Sequence, residues 1–229
     1  MIEVKGISKK YRRKQVLKDV SFTVKKDEIT CLIGVNGIGK STVMKSIMGL
    51  TPFDRGDIVV DGSSIKKERR SNLSFIPDHL TMPPSMTIKQ VFQFLIDFHG
   101  NWNDERAEEL MDYFNLRYEE KLRNLSKGNA AKLNLLIGLS FDNDYVLMDE
   151  PFSGIDLFAK EKIRHLMTSE YLEGKGVLLT THEIDEVEHL LDRVLILDRG
   201  VIIEDFYTEQ LRMEEGKSVV DKLREVQSK

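Results

Sequence analysis

Gly34-Val35-Asn36-Gly37-Ile38-Gly39-Lys40-Ser41 fits the pattern Gly-x-x-x-x-Gly-Lys-[Ser/Thr] without a gap. It follows Glu28–Ile33, a short β-branched apolar run, and opens residues 40–50, where Val43, Ile47 and Leu50 recur at helical spacing. A strand, a glycine-rich turn and a helix in that order aim backbone N–H groups and the positive end of the helix at one point, beside the Lys40 ammonium. Phosphate oxygens are the ligands such a point attracts. The nucleotide-binding set is therefore Gly34, Val35, Asn36, Gly37, Ile38, Gly39, Lys40, Ser41 and Thr42, with the Ser41 hydroxyl as a ligand for Mg²⁺.

Further along, Tyr145-Val146-Leu147-Met148-Asp149-Glu150 is an apolar strand ending in two carboxylates. Beside a phosphate loop, Asp149 is expected at the Mg²⁺, and Glu150 at the strand tip is expected to orient and deprotonate a water aimed at the γ-phosphate. Thr180-Thr181-His182 closes another apolar strand and brings His182 toward the same phosphate from the opposite side. Both Glu150 and His182 are read as catalytic.

The rest of the pattern supports an α/β fold: a P-loop NTPase core with an antiparallel β subdomain and an inserted α-helical subdomain. Residues 2–7 and 18–24 alternate like half-exposed antiparallel strands, with Lys14 and Gln15 near their turn, and residues 56–61 and Leu73–Ile76 are further short strands. Residues 87–140 are helical in spacing, and Phe92, Phe94 and Phe98 are expected mainly in the core. Strands then alternate with helices expected over residues 156–171 and 184–191, which favours a largely parallel sheet. The layout is one domain: residues 1–78 plus 141–207 as catalytic core, 79–140 as helical subdomain and 208–229 as a helical tail of one helix or two.

Composition narrows the classes. With 41% hydrophobic and 31% charged residues in 229, the chain has a core to bury and is not disordered. A single cysteine, Cys31, excludes an internal disulfide and reads as a small buried hydrophobe. No apolar run reaches signal-peptide or membrane-spanning length, so a soluble, cytoplasmic protein is expected. The net charge is −4. The basic stretches at residues 9–14 and at Lys66, Lys67, Arg69 and Arg70 are read as solvated, with no nucleic-acid partner. Trp102 is expected in a loop or at a helix start.

Taken together, these spaced motifs resemble the ATP-binding subunit of an ABC transporter over nearly the whole chain. In that resemblance Leu125-Ser126-Lys127-Gly128-Asn129 is the signature segment and Ser153-Gly154-Ile155-Asp156 the D-loop. It implies a head-to-tail dimer with a second ATP-binding subunit, identical or related, with Ser126, Lys127, Gly128, Asn129 and Asp156 facing the partner's nucleotide. Ser126 is also a good N-cap, and Gly128 permits close backbone approach, so this helix start suits an anion. Tyr11 stands where the family has an aromatic that stacks on adenine.

Two departures stand out. Asp78, in Phe75-Ile76-Pro77-Asp78, occupies the place of the family's usual Gln; as a carboxylate it can ligate Mg²⁺, but it adds negative charge near the γ-phosphate. Lys127 and Asn129 replace the usual Gly and Gln. The resemblance implies a Mg-dependent ATPase, using ATP and Mg²⁺, that powers transmembrane permease subunits from the inner face of the membrane, resembling bacterial exporters of drugs or peptides. The alternative is a soluble ABC ATPase of translation or DNA maintenance; a single phosphate loop and the lack of a heptad run weigh against it.

Overall fold

Apolar residues alternate with polar ones along β1 (Ile2–Tyr11) and β2 (Lys14–Val24), so Ile2, Val4, Ile7, Leu17, Val20, Phe22 and Val24 all turn to one buried face. The two strands pair antiparallel from Ile2↔Val24 to Tyr11↔Lys14, which leaves Arg12 and Arg13 in the turn and places Lys14 and Gln15 beside it, as the first residues of β2. The structure, a computed structural model, describes residues 1–65 and 72–227. The basic segment holding Lys66, Lys67, Arg69 and Arg70 lies outside the described residues.

β3 (Glu28–Ile33) leads through the glycine loop into α1 (Lys40–Ile47). β4 (Arg55–Val60) and β5 (Ser63–Ser64) complete a four-stranded sheet in the order β2-β1-β4-β5. After β6 (Leu73–Ile76) come three helices rather than one continuous run: α2 (Ile88–Phe98), α3 (Asp104–Phe114) and α4 (Lys127–Leu139). Each has its own start signal. Thr87 and Gln90 form a capping box, Asn103 accepts from Arg106 N and Ser126 accepts from Asn129 N. α2 buries Ile88, Val91, Phe92 and Leu95, but the core reading of Phe94 and Phe98 does not hold: they project from the opposite side, 41% and 70% exposed. Trp102 lies in the connection between α2 and α3, edge-on to Phe92 and Phe141.

β7 (Tyr145–Asp149), α5 (Leu157–Met167), β8 (Gly176–Thr180), β9 (Arg193–Asp198) and β10 (Val201–Tyr207) finish a second sheet, ordered β10-β9-β3-β8-β7-β6. All of its strands are parallel except β10. Residues 184–191 are not the expected helix. They form two 3₁₀ turns, Ile184–Glu186 and Glu188–Leu190, because Glu183 and Glu186 are drawn to Lys160 and Arg164 of α5. The tail is two helices, α6 (Thr208–Glu215) and α7 (Val219–Gln227), parted at Gly216, whose φ of +64° ends α6.

Alternate residues of the large sheet belong to different cores. Cys31, Ile33, Val146, Met148, Val177 and Leu179 face α2 to α5 and α7; Leu32, Tyr145, Leu147 and Leu178 face α1 and the smaller sheet. Covered on both sides, β7 and β8 are apolar in near-continuous runs up to their terminal Asp149 and Thr180, as parallel strands usually are. Val43, Met44 and Ile47 of α1 are fully buried, each contributing about 1.5–3 kcal/mol, and this anchors the helix whose first turn carries Lys40 and Ser41. Cys31 is buried, as expected.

Candidate nucleotide site

Because β3, β6, β7 and β8 run parallel, their carboxyl ends meet at one edge of the sheet, where ligands of open α/β folds bind. β3 delivers the phosphate loop there, β7 delivers Asp149 and Glu150, β8 delivers Thr180 to His182, and β6 delivers Asp78. Asn134 of α4 donates to Pro77 O at 3.1 Å and fixes the approach to Asp78.

The loop is shaped by backbone rather than side chains. Gly39, at the entry to α1, has φ +126°, and a Cβ there would lie 3.0 Å from Leu17 and 3.1 Å from Val16. Glycine alone satisfies both the angle and the approach of β2. The Lys40 ammonium folds back to donate to Gly34 O at 2.7 Å and lies 3.4 Å from Glu150 Oε1.

Glu150 is the hub. Its φ of +52° is rare for a residue with a side chain and turns the chain sharply after β7. That turn points its carboxylate at both Lys40 and His182: Oε2 is 2.8 Å from His182 Nδ1 and accepts from His182 N at 3.2 Å. Oε1 is buried and accepts no hydrogen bond. Asp149, 3% exposed, accepts from the Thr180 hydroxyl at 2.7 Å, and the same hydroxyl accepts from Glu150 N at 3.1 Å. Thr180 therefore positions both carboxylates from within the fold.

A cleft of about 480 Å³ is lined by Tyr11, Asn36, Gly37, Gly39, Lys40, Ser41, Thr42, Asp78 and Glu150, and also by Lys14 and Val16, which sequence reasoning did not include. The signal for those two was available only as the strand that follows the Arg12 turn. Tyr11 is half exposed, with Lys9 Nζ 5.1 Å from its ring centre. Asp78 is paired with His79 Nδ1 at 2.5 Å. His182 reaches this region through Glu150 and does not line the cleft.

Ser126, Gly128, Asn129 and Asp156 are also outside the cleft. They sit together instead: a Cβ on Gly128 would lie 3.3 Å from Asp156 Oδ2, and the Lys127 side chain lies across Gly154. Lys127 and Ser153 share a crevice of about 150 Å³ with Asp78 and Glu150.

The donor set fits a nucleotide and its metal. A lysine ammonium held by a carbonyl and one carboxylate suits a polyphosphate, and a buried carboxylate oxygen without a hydrogen-bond donor suits a water beside it. Among the described residues no three His, Cys, Asp or Glu side chains converge. Mg²⁺ commonly takes one or two protein carboxylates plus substrate phosphates; Ser41 and Asp78 line the cleft and offer it oxygens, whereas Asp149, buried and held by Thr180, does not line it.

The sequence profile of the ABC transporter family matches residues 17–153, which include the phosphate loop, the Ser126 segment and the Asp149–Glu150 pair. The chain belongs to that family. It is an ATP-binding subunit of an ABC transporter, and ABC ATPases bind and hydrolyse ATP. The linearmycin resistance ATP-binding protein LnrL of Bacillus subtilis is 33% identical over 211 residues, covering 89% of this chain and 68% of that protein. The lipopolysaccharide export system ATP-binding protein LptB of Haemophilus influenzae is 28% identical over 226 residues, covering 94% of each. A solved ATP-binding subunit of an ABC transporter superposes with a TM-score of 0.88 over the whole of both chains, at 28% identity. The α/β ABC cassette fold is thereby established. Among the described residues no helix is long and apolar enough to cross a membrane.

Proposed function

We propose that this ABC subunit couples Mg-dependent ATP hydrolysis to export of a drug or peptide through separate permease subunits. The observation that carries the catalytic part is the Lys40–Glu150–His182 contact at the carboxyl edge of the sheet. In this reading Tyr11 stacks on adenine, while residues 34–42 hold the phosphates. Ser41, Asp149 and Asp78 hold Mg²⁺, which when bound supplies charge neutralisation on the phosphate oxygens. Glu150 takes a proton from the attacking water as the water oxygen bonds to the γ-phosphorus and the bond to the ADP oxygen breaks. His182 holds Glu150 Oε2 and orients the carboxylate for that task.

Ser126, Gly128, Asn129 and Asp156 lie outside the chain's own cleft, which supports a head-to-tail dimer in which they, with Lys127, complete the site of a second ATP-binding subunit. The helices of residues 79–140 form the unit that meets the permease, and the exposed Phe94 and Phe98, with ring centres 4.8 Å apart, offer it an apolar contact. Residues 1–78 and 141–207 form the catalytic core, and the subunit sits at the inner face of the membrane through the permease. The names of LnrL and LptB, one a resistance protein and one an export protein, support the direction.

Two measurements test this. Phosphate release from ATP should require Mg²⁺ and vanish in Glu150→Gln; equal background release from both proteins ends the catalytic reading. A mild-detergent pull-down from the native cell should recover a polytopic membrane protein. Recovery of ribosomes or DNA-maintenance proteins without one transfers the ATPase to the soluble class.

A further inference from the structure

α5 starts at the edge where Asp156 is displayed: Asp156 Oδ1 accepts from Ala159 N at 2.9 Å and caps the helix. One turn on, Lys160 Nζ bonds Glu183 Oε2 and reaches Glu186 Oε1 at 3.3 Å, and a turn later Arg164 Nη1 bonds Glu186 Oε2. Glu183 Oε1 in turn lies 4.0 Å from His182 Nε2, on the far side of the imidazole from Glu150. The four tying side chains are all shielded, the most exposed being Glu186 at 28%. The bond to Glu183 raises the Lys160 ammonium above its ordinary pKa.

Local bonds hold this turn only over a short span: Glu183 N donates to Thr181 Oγ1 at 3.0 Å and Glu186 N to Glu183 O at 3.3 Å. Residues 184–186 make a single 3₁₀ turn that ends at Val187 with φ −129°, so no run of helical hydrogen bonds holds His182 in register. Ion pairs from a neighbouring helix supply what helical cooperativity would otherwise give.

We propose that Lys160 is a positioning residue for hydrolysis: through Glu183 and Glu186 it ties the start of α5 to the turn carrying His182, which in turn holds Glu150 Oε2. The inference rests on the catalytic reading above. Arg164 pairs with Glu186 and, among the described residues, not with Glu183 beside His182, so Lys160 and Glu183 are the decisive pair.

The test measures Mg-ATP hydrolysis, fluorescent ATP-analogue binding and melting temperature for Lys160→Met, Glu183→Gln, their double variant and Lys160→Arg, with His182→Ala as reference. Small misplacements of a catalytic group cost up to about 100-fold, so Lys160→Met and Glu183→Gln should each lower kcat by about 10-fold at unchanged nucleotide affinity. The double variant should be no worse than either single one, since both break one link. Lys160→Arg should restore turnover, because a guanidinium spans the same two carboxylates. Normal kcat in Lys160→Met, losses that multiply in the double variant, or no rescue by arginine overturns the proposal. A wild-type chain that does not hydrolyse ATP overturns the catalytic reading instead, and an inactive His182→Ala beside a normal Lys160→Met overturns only the tie.

Discussion

Glu150 Oε1 faces the Lys40 ammonium at 3.4 Å yet accepts no hydrogen bond, although it is buried. A buried oxygen without a donor is costly, about 1–3 kcal/mol and more when charged, and persists where function requires it. A water donating to that oxygen would be polarised toward it. Glu150→Gln keeps the shape and removes the basicity, so turnover should fall by about 10²–10⁴, the range that general-base catalysis contributes. ATP affinity should hold or rise, because a negative charge beside Lys40 is gone. Phosphate release and titration with a fluorescent ATP analogue separate the two effects; unchanged turnover removes Glu150 as the base.

Lys40 donates to Gly34 O and is 6% exposed, so its charge is already aimed and largely desolvated. A hydrogen bond to a charged group contributes about 1.5–3 kcal/mol, so Lys40→Ala should weaken ATP binding by about 10- to 100-fold. Adenosine binding should hardly change, since Tyr11 lies elsewhere in the cleft. Equal losses for ATP and adenosine would mean that the variant damages the loop itself.

The elements whose place in the fold was legible in sequence were those whose signals are local. The phosphate loop lies between a strand and a helix in eight consecutive residues, and Asp149 and Glu150 end an unbroken apolar run. What was misread depends on distant partners. Ile184, Val187 and Leu191 carry helical spacing, but Glu183 and Glu186 are drawn toward Lys160 and Arg164, and the segment becomes two short turns. Phe94 and Phe98 share the apolar character of Phe92, and only the packing of α2 decides which of them is covered. The role of Thr180, whose hydroxyl holds Asp149 and Glu150 N, is visible only when β7 and β8 lie side by side.

Asp78 is 54% exposed and shares the nucleotide cleft with Glu150. Its carboxylate repels a polyphosphate while offering an oxygen to Mg²⁺. Two charges near 4 Å apart interact by about 1 kcal/mol even in bulk water, so Asp78→Asn should raise turnover at saturating Mg²⁺ by about fivefold. It should also raise the Mg²⁺ concentration needed for half-maximal rate, because a charged ligand is lost. A Mg²⁺ titration of both proteins reads both changes, and identical curves exclude Asp78 from the metal.

The bond from Ala159 N, followed by further backbone donors, outweighs desolvation and holds the Asp156 carboxyl below its ordinary pKa. A depressed carboxylate stabilises the fold above its unfolded value, about 4, and that contribution is lost as pH falls through the folded value. Asp156→Asn keeps the cap but does not titrate there. The melting-temperature advantage of wild type over Asp156→Asn should therefore be constant from pH 7 to about 5 and shrink on further acidification. An advantage that grows toward low pH would reverse the sign assigned here.

Gly138 lies inside α4, where alanine would ordinarily stabilise a helix by about 1 kcal/mol. Here a Cβ would stand 2.2 Å from Ile76 Cγ1 and 2.7 Å from its Cδ1. Ile76 is 2% exposed and ends β6, two residues before Asp78, so it can yield only by shifting the strand or crowding its neighbours. Overpacking of this kind costs about 1–3 kcal/mol, which exceeds the propensity gain. Gly138→Ala should lower the melting temperature, and the strand shift should carry to Asp78 and alter the Mg²⁺ dependence of turnover. A more stable variant with unaltered Mg²⁺ response would show that Ile76 has room to rotate and that α4 does not set the position of Asp78.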